Sequence, residues 1–561
     1  MGRMLATDEL AFYAQAKSVR SPRENDFRLA SAYCLPEHYG AWQTEGPATV
    51  NGIQTARRMV YDSTGMRSLP KYTAVLQRLA TPDGTRYQGL TASNAELMKI
   101  MAVRRYFDTV TDKLFKFRQA SRARFRIATG EMYTSIGAYG TGPLYVGKRK
   151  PNALYNAPSF MYKGCLLRDV FILVNDDDEV EAVYRRFFLN ARMWKSKFPD
   201  LPLPRALSNN VKSETAMEEF VHVVRVRTDH DPEAIDARHM PVVGSYLNVK
   251  DQEYVGEEHG FRSIPYLTPR TMTVSGDPYG FAPSVRVLSN MGGASAMKKT
   301  QIKQGQKAAD PVLLTYDDGV MNGEVDLRPG AVNPGGLDAQ GRELVKTMQT
   351  GNFQVSEKLI EDDRMDIEDS FFVTLFQILN ETPEMTATEV IERVAEKTAL
   401  IAPTMGRLQS EFLGPCTERE IDLLIELGEM PPMPPELQEA QGEYEIQYTS
   451  PMAKGIHAEE SAGFVRTVEM AISVANATGD PSPLDHFDFD TALPEIADNQ
   501  GTPARWINDA KVVEQMREVR AQKQQEAMAM QNAAGLSQAA KVAGELQQQQ
   551  PKQVQRQGRG A

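Results

Sequence analysis

The sequence predicts an α+β protein composed of several segments, and three observations support this fold class. Hydrophobic residues make up 41% and charged residues 24% of the 561 residues, as is typical of a globular chain. Two helix-like stretches, 284–308 and 355–379, flank a Gly- and Pro-rich stretch at 309–351 that carries β-hairpin signals. A third stretch, 386–427, keeps apolar residues at helical spacing. At about 150 residues per domain, the length allows roughly three or four domains.

The first 280 residues are expected to mix helices and strands. Residues 104–126 contain eight basic and two acidic residues. Within this run and just beyond it, apolar side chains recur at near-helical spacing: Tyr106, Val110, Leu114, Phe117 and Ile127. A helix that binds nucleic acid is one interpretation; we favour a solvated face, or a face against a neighbouring subunit. Residues 221–226 and 271–274 are predicted to be short strands, and no hydrophobic period persists elsewhere between 160 and 283.

The two helix-like stretches at 284–308 and 355–379 carry opposite charges. The first contains five basic residues and no acidic residue, and the second contains seven acidic and two basic residues. The basic residues lie near the end of the first helix and the acidic ones near the start of the second, which favours both helix dipoles. An antiparallel pair would place Lys307 level with Glu357 and Lys303 level with Glu361. We therefore predict charge pairs between the helices or between subunits, with two solvated faces as the alternative, at Lys299, Lys303, Lys307, Glu357, Glu361 and Asp362.

The stretch 386–427 is predicted to be one long, bent helix. Thr386 and Glu389 form a capping box, in which each side chain satisfies a free backbone N–H at the start of the helix. Pro403 should kink the helix because it lacks an N–H and crowds the preceding turn. Gly414-Pro415 should bend or break the helix again, and it should continue to Gly428.

The C-terminal part differs in charge from the rest of the chain. Residues 511–561 hold eight basic and four acidic residues, which gives this segment a net charge of +4. Since the whole chain has a net charge of −11, residues 1–510 have a net charge of −15. Helix formers dominate from Thr502-Pro503, which suit an N-cap and a first helical residue, to Asn532. Residues 511–561 also hold 13 glutamines, and the chain beyond Gly535 is predicted to be a low-complexity tail.

No motif in the sequence predicts catalysis, and no metal or cofactor is expected. Residues 142–149 match the Gly-x-x-x-x-Gly-Lys of a phosphate-binding loop, but Arg149 stands where a Ser or Thr hydroxyl must reach magnesium. The acidic run 176–179 lacks the spacing of a calcium loop and is interpreted as a solvated turn. Three distant cysteines and seven histidines without a His-x-x-x-His pair predict neither a disulfide scaffold nor a zinc site. Apolar runs fall short of the ~18 residues of a membrane span.

Several short stretches within residues 277–450, and one that overlaps its end, resemble one protein family. They are 307–314 (KAADPVLL), 326–331 (DLRPGA), 385–390 (MTATEV), 413–415 (LGP) and 448–453 (YTSPMA). They occur in the order helix, small β-rich module, helix, loop and long kinked helix. In both the sequence of these stretches and their order, this part of the chain resembles the portal proteins, or head-to-tail connectors, of short-tailed bacteriophages, the podoviruses.

The resemblance implies a multi-segment portal-type subunit with a mixed α/β wing, a two-helix stem, a small β-rich clip, a long kinked helix and a helical C-terminal crown. The implied segments are the N-terminal part of the wing at 1–280, the first stem helix at 281–308, the clip at 309–351, the second stem helix at 352–378, the tunnel loop at 379–386, the wing part with the kinked helix and a following strand at 387–454, the crown at 455–535 and a Gln-rich flexible tail at 536–561.

The resemblance also implies where such a subunit meets DNA and other proteins. The tunnel loop would narrow a DNA channel, and the clip would contact terminase and then a tail adaptor. The residues concerned are Asn380, Glu381, Thr382, Pro383 and Glu384 in the tunnel loop, and Asp317, Asp318, Asn322 and Arg328 in the clip.

The implied function is a ring, expected to contain twelve subunits, at one capsid vertex of the virion. Double-stranded DNA would pass through it without sequence specificity during packaging and ejection, and the acidic net charge suits a channel that must not hold phosphates. The other expected partners are the major capsid protein, the scaffold, the large terminase subunit and a tail adaptor, with assembly in the host bacterial cytoplasm and no membrane partner.

Two other classes of protein remain open at this point. A packaging ATPase is disfavoured because the match to a phosphate-binding loop fails at Arg149. A scaffold or internal capsid protein would tolerate the long helix and the Gln-rich tail. The compact β-rich module between two helices is harder to explain in such a protein.

Overall fold

The structure is a computed structural model of the whole chain. It describes residues 4–47, 52–98, 100–149, 159–208, 216–227, 230, 239–315, 325–348, 353–374, 400–439, 443–448, 451–480, 482–499, 506, 508, 512–528 and 530. The predicted α+β class is confirmed, since helical layers and antiparallel sheets alternate along the chain. Among the residues described, no helix has the length and apolar character needed to cross a membrane.

Helices dominate the first 140 residues, and most of the longer ones pack around a common core. Several are amphipathic and bury one face; the helix Met101–Gln119, for example, buries Tyr106, Val110 and Leu114. The helices are α1 Ala6–Arg20, α2 Glu24–Cys34, α3 Pro36–Tyr39, α4 Gly52–Met59, α5 Thr64–Ala80, α6 Ala95–Met98, α7 Met101–Gln119 and α8 Phe125–Tyr139.

Strands form two sheets between residues 144 and 267, and a further pair links distant parts of the chain. The strands are β1 Gln88–Ala92, β2 Leu144–Arg149, β3 Ser159–Gly164, β4 Val170–Val174, β5 Val180–Leu189, β6 Glu218–Val226, β7 Val242–Asn248, β8 Glu253–Phe261 and β9 Tyr266–Leu267. The first sheet has the order β3-β2-β9, and the second is a five-stranded antiparallel sheet in which β4 to β8 follow one another. Two short helices, α9 Ala191–Lys197 and α10 Arg205–Ser208, lie between β5 and β6.

The five-stranded sheet explains why no hydrophobic period was found in this region. The centre of β6 and most of β7 are buried on both faces, so polar and apolar residues do not alternate along them. The strand predicted at 221–226 is confirmed as part of β6. The strand predicted at 271–274 is wrong: Met272 makes only an isolated bridge to Phe281, while the Thr271 N–H donates to the Gly140 carbonyl at 2.8 Å.

The segment after the sheets forms an antiparallel helix pair, which we call the helix hairpin. It consists of α12 Leu288–Ala309 and α13 Phe353–Ser370, preceded by the short α11 Pro283–Arg286. The predicted first helix is therefore interrupted at Val287. The second is interrupted after Ser370, because Phe372 adopts a left-handed φ of 55°, and residues 373 and 374 are helical again. That turn buries the Phe371 side chain in the core and stacks Phe372 on Tyr72.

Between the two helices lies a small module, here called the distal module, made of the described residues 310–315 and 325–348. Strand β10 Leu313–Thr315 pairs with β11 Val345–Thr347 in antiparallel register. An isolated bridge joins Leu337 and Glu343. The β-rich character predicted for 309–351 is confirmed for these residues.

Beyond residues 375–399, which lie outside the described residues, a long helix packs into the core. Residues 400–408 are helical and include Pro403, a π-helical turn spans Gln409–Leu413, and α14 covers Gly414–Glu426. Of the bend or break predicted at Gly414-Pro415, the break does not occur, because the π-helical turn continues directly into α14. Because Pro415 has no N–H, the backbone hydrogen bonds of the helix change here to the π-helical pattern, and the Gly414 N–H donates to the Gln409 carbonyl. The same carbonyl also accepts a hydrogen bond from the Tyr448 hydroxyl at 3.1 Å. Gly428, with φ of 69°, ends the helix as predicted.

The last described segments are mostly helical, in agreement with the prediction for 455–535. After the short α15 Pro435–Glu439 and β12 Tyr444–Tyr448, which pairs with β1, come α16 Pro451–Thr478, α17 Phe489–Asn499 and a helix over residues 512–528. Phe464, Phe487 and Phe489 pack together and fix the turn between α16 and α17. The Gln-rich tail at 536–561 and the Thr502 cap lie outside the described residues.

Candidate assembly surfaces

The helix hairpin is attached to the N-terminal helices by polar contacts near its base. Arg364 on α13 donates to the Asp62 carboxylate from Nε at 2.9 Å and from Nη2 at 2.7 Å. Burial alone would raise the pKa of Asp62, but hydrogen bonds from Thr64 and Arg364 outweigh burial and lower it. On α12, the Ser295 hydroxyl accepts from the Tyr61 N–H at 2.9 Å. Both helices are therefore held where α4 connects to α5.

The register of the hairpin is set by Asn290 and by Gly293. The Asn290 side-chain amide donates to Asp363 at 3.1 Å and to Asp366 at 3.0 Å. A Cβ at Gly293 would lie only 3.2 Å from an Asp363 oxygen, so a side chain there would crowd the carboxylate. These contacts place Asp363 opposite residues 290–293.

This register differs from the one predicted, which placed Lys303 level with Glu361. The lysine-rich end of α12 therefore lies opposite the start of α13, ahead of most of its acidic residues. Among the described residues of one chain, Lys299, Lys303 and Lys307 form no ion pair with Glu357, Glu361 or Asp362. Glu361 instead pairs with Arg364 at 3.7 Å, and the Lys299 ammonium lies 5.3 Å from the Tyr61 ring centroid. Pairing between subunits stays a prediction.

The distal module exposes both charged and apolar side chains. Arg328, one of the predicted contact residues, is exposed and donates from Nε to both Asp326 oxygens at 3.0 Å. A similar local pair joins Arg342 to Asp338 at 2.8 Å. Large apolar side chains are exposed on the same module, namely Val312, Leu314, Leu327, Val332, Leu337 and Met348.

Most of the other predicted site residues lie outside the described residues, so their positions stay predictions. They are Asp317, Asp318 and Asn322 of the distal module, the loop residues Asn380, Glu381, Thr382, Pro383 and Glu384, and the capping pair Thr386 and Glu389.

A buried ion pair joins α7 to α14, and the sequence did not reveal it. The Arg118 guanidinium donates from Nε to both Glu420 oxygens at 2.8 Å, and its Nη2 lies 2.6 Å from Oε2. Arg118 also donates to the Tyr87 hydroxyl at 3.1 Å and to the Thr417 hydroxyl at 3.1 Å. The Tyr162 hydroxyl donates to Glu420 at 2.5 Å. The pair connects helices that are 302 residues apart in sequence.

Several residues of the basic run at 104–126 make contacts within the chain. Its apolar residues face the core, although Ile127, just beyond the run, is exposed. Asp108 and Asp112 pair with Arg86, and Lys113 donates to the Glu429 carbonyl at 2.6 Å. The helix is thus tied to its own chain on several sides, which disfavours the nucleic-acid interpretation.

The phosphate-loop match at 142–149 is confirmed to be accidental, because residues 144–149 form strand β2 and not a loop around a phosphate. Lys148 pairs with Glu426 at 2.9 Å. The acidic run at 176–179 forms the turn between β4 and β5, with Asp178 at a φ of 61°. Throughout the described part of the chain, no cluster of His, Cys, Asp or Glu has a geometry suited to a metal ion. Cys34, Cys165 and Cys416 are buried free thiols.

Comparison with known proteins identifies the family. A family model described as bacteriophage head to tail connecting protein matches residues 7–507. A probable portal protein of Bordetella phage BPP-1 is 29% identical over 554 residues, which cover 96% of this chain and 94% of the relative. The portal protein of Salmonella phage epsilon15 is 25% identical over 430 residues, or 75% of each chain.

Solved structures give a weaker likeness. A chain from the neck of an empty gene transfer agent particle aligns over 75% of this chain and 90% of its own length, with 13% identity and a TM-score of 0.37. That score is too low to add to the sequence matches. The family model, however, extends from α1 past α17 and includes the helix hairpin, the distal module and the long helix. The chain therefore belongs to the bacteriophage head-to-tail connecting proteins, the portal proteins of the virion.

Proposed function

We propose that twelve copies of this portal protein form a closed ring at one vertex of the capsid. The observation that carries this proposal is the exposure of the helix hairpin and the distal module. In a single chain, α12 buries only Met291, Ala294 and Ser295 out of its whole length. A protruding hairpin with so little buried surface needs neighbours on both sides, and a rotationally symmetric ring supplies them to every copy.

In this ring, the described elements take the roles that the family resemblance implies. The helix hairpin is the stem, the distal module is the clip, and the helical layers with the two sheets and the long helix form the wing. Helices α16 and α17 and the helix at 512–528 belong to the crown. The loop at 379–386 narrows the channel.

The channel passes double-stranded DNA without reading its sequence. The chain carries a net charge of −11, and α13 is strongly acidic, so the protein offers little attraction for phosphates over a broad surface. A DNA duplex can then slide in during packaging and out during ejection. The role is structural, with no catalytic residue and no cofactor.

The partners follow from the position in the virion. The clip, with Arg328 and its exposed apolar side chains, contacts the large terminase subunit during packaging and a tail adaptor afterwards. The wing and crown contact the major capsid protein and the scaffold. Assembly takes place in the host bacterial cytoplasm.

The mass of the purified protein in solution tests the ring. A dodecamer has a mass of twelve times 62.5 kDa, about 750 kDa, and should elute as one species in size-exclusion chromatography with light scattering. Negative-stain electron microscopy of the same fraction should show rings with a central hole. A stable monomer at micromolar concentration would contradict the proposal.

A further inference from the structure

A pocket of about 910 Å³ lies between the five-stranded sheet and the long helix. It is bordered by the turn between β4 and β5, by residues 262–270 and by one face of the long helix from Pro403 to Glu418. A cavity of this size accommodates several side chains. Much of its lining is apolar, namely Val180, Val242, Ile264, Leu267, Pro403 and Pro415.

The charges that line this pocket are unbalanced at its rim. On the wall, Glu411 accepts hydrogen bonds from the Arg270 backbone N–H at 2.7 Å and from its guanidinium at 2.9 Å, and it pairs with Arg407 at 3.1 Å. At the exposed rim, one basic residue, Arg262, accompanies four acidic ones: Asp177, Asp178, Glu179 and Glu418. None of these four carboxylates forms an ion pair within the described part of the chain. Since the whole lining has five acidic residues and three basic ones, the rim favours a cation from outside the chain.

An exposed segment at the start of α8 has the complementary chemistry. Residues 121–127, here called the arginine turn, contain three arginines. Arg124 is exposed and makes no ion pair with a described residue, and Arg126 pairs with Asp83 where both side chains are more than half exposed. Ile127 is 54% exposed. An exposed isoleucine beside cations favours a protein partner with an apolar surface, because the phosphates of nucleic acid need cations alone.

The backbone of the arginine turn is held firmly by the sheet beside it. The Ala123 carbonyl accepts from the Tyr162 N–H of β3 at 3.1 Å, and the Phe125 ring packs edge-on against the Tyr162 ring at 4.8 Å between centroids. Arg124 has a left-handed φ of 61°, which a residue other than glycine keeps only where the surrounding structure imposes it. A segment ordered in this way loses little conformational entropy when it binds.

The arginine turn and the pocket lie at opposite edges of the three-stranded sheet. The turn borders β3, whereas the pocket-lining segment 262–270 runs along the other side of β2, where the Pro265 carbonyl accepts from the Val146 N–H at 2.8 Å. The central strand β2 therefore separates the turn from the pocket wall. Two different surfaces at opposite edges of a subunit suit a head-to-tail contact, which generates a ring when the rotation closes.

We propose that this pocket receives the arginine turn of the neighbouring subunit, so that its occupant is a second copy of this chain. Ile127 packs on the apolar lining, and Arg124 faces the acidic rim, where a guanidinium can donate two hydrogen bonds to one carboxylate. The inference rests on the ring proposed above and adds the residues that join neighbouring wings. Each copy supplies a pocket at one edge and an arginine turn at the other.

Cysteine cross-linking of the assembled full-length protein tests the contact. Ile127 and Ser410 are both exposed, and Ser410 lines the pocket. The native thiols of Cys34, Cys165 and Cys416 are buried. With a short bifunctional maleimide, the double variant I127C/S410C should give a ladder of covalent oligomers on a denaturing gel, and each single variant should run as a monomer.

A second exposed apolar residue beside an arginine provides the matched control. Met193 follows Arg192 on α9 and is 46% exposed. The double variant M193C/S410C should give no ladder. An equal ladder in this control would overturn the contact, as would a cross-link of I127C/S410C that stays within one chain. Wild-type rings without an I127C/S410C ladder would overturn the contact alone, whereas a monomeric wild type would overturn the ring as well.

A charge exchange tests the acidic rim separately. Arg124→Glu should raise the protein concentration at half-assembly, measured by light scattering, about fivefold or more, because repulsion replaces attraction at every interface. Glu418→Arg in the same chain should partly restore assembly. Arg192→Glu changes the net charge equally and should leave the half-assembly concentration unchanged. Equal shifts for the Arg124 and Arg192 variants, or no restoration by Glu418→Arg, would overturn the assignment of Arg124 to this rim.

Discussion

Replacing Glu420 by glutamine should destabilise the fold around α7 and α14 by several kilocalories per mole while changing almost no atoms. Glu420 is completely buried, and its partner Arg118 is 2% exposed. Glutamine keeps the shape and one acceptor oxygen, but it removes the negative charge that the buried guanidinium faces. Removing one partner of a buried ion pair typically costs about 3–5 kcal/mol, and the retained acceptor argues for the lower part of that range.

The surrounding hydrogen bonds make the substitution worse than a simple charge loss. The Tyr162 hydroxyl donates to Glu420 at 2.5 Å, and the Cys416 thiol donates at 3.3 Å. A glutamine amide placed towards either group would oppose a donor with another donor, which leaves buried polar atoms unsatisfied at about 1–3 kcal/mol each. The network joins α7, β3 and α14, so the loss should affect the whole wing.

Glu429→Gln, three residues beyond the end of α14, is the matched control. Glu429 is 41% exposed and pairs at 3.4 Å with Lys113, which is 34% exposed. An ion pair of this kind contributes at most about 1 kcal/mol. The measurement is the urea midpoint of unfolding at fixed protein concentration, followed by the fluorescence of Trp42 and Trp194. Equal shifts of the midpoint for the two variants would refute the reasoning.

Elements with a strong local signal could be predicted from the sequence. The helix hairpin, the distal module and the C-terminal helices have helix formers, turn residues or caps close to their ends, and local chemistry fixes them. The five-stranded sheet has no such signal, since the core of β6 and most of β7 are buried on both sides. Sheets of this kind become visible only when their neighbours are known.

The candidate sites, like the secondary-structure elements, could be predicted only where the sequence signal is local. Arg118 was noticed only as one member of a basic run, because its partner Glu420 lies 302 residues away and no local pattern joins them. The charges of the two hairpin helices were predictable, but their register was not. The register depends on Asn290 and on the close approach of Gly293 to Asp363, and no local sequence pattern indicates these contacts.

The remaining predictions concern the tail, the pH dependence and the stem. Truncation after Gly535 should leave rings intact in electron micrographs, since residues 536–561 offer little apolar surface; loss of rings would show that the tail is structural. Burial and the charge of Glu420 raise the pKa of Cys416 and Tyr162 well above the ordinary values of 9.0 and 10.0. The folded wing therefore keeps these protons when the unfolded chain loses them, so stability is full below pH 9.0 and the urea midpoint should fall as the pH rises further. A midpoint that stays constant up to about pH 10.5 would contradict this. In the stem, the triple change of Lys299, Lys303 and Lys307 to Glu should impair ring assembly at low salt. These lysines do not pair with Glu357, Glu361 or Asp362 within one described chain, so the variant tests for charge pairs between neighbouring subunits. Each exposed pair contributes about 1 kcal/mol or less, but a ring repeats it at every interface. Reversal of the three acidic residues to Lys should then partly restore the light-scattering mass of the ring. A control that changes the exposed wing residues Lys71, Lys116 and Lys195 to Glu alters the net charge equally and should assemble normally. Normal assembly of the stem variant, or failure of the reversal to restore it, would show that the stem is not held by charge pairing between subunits.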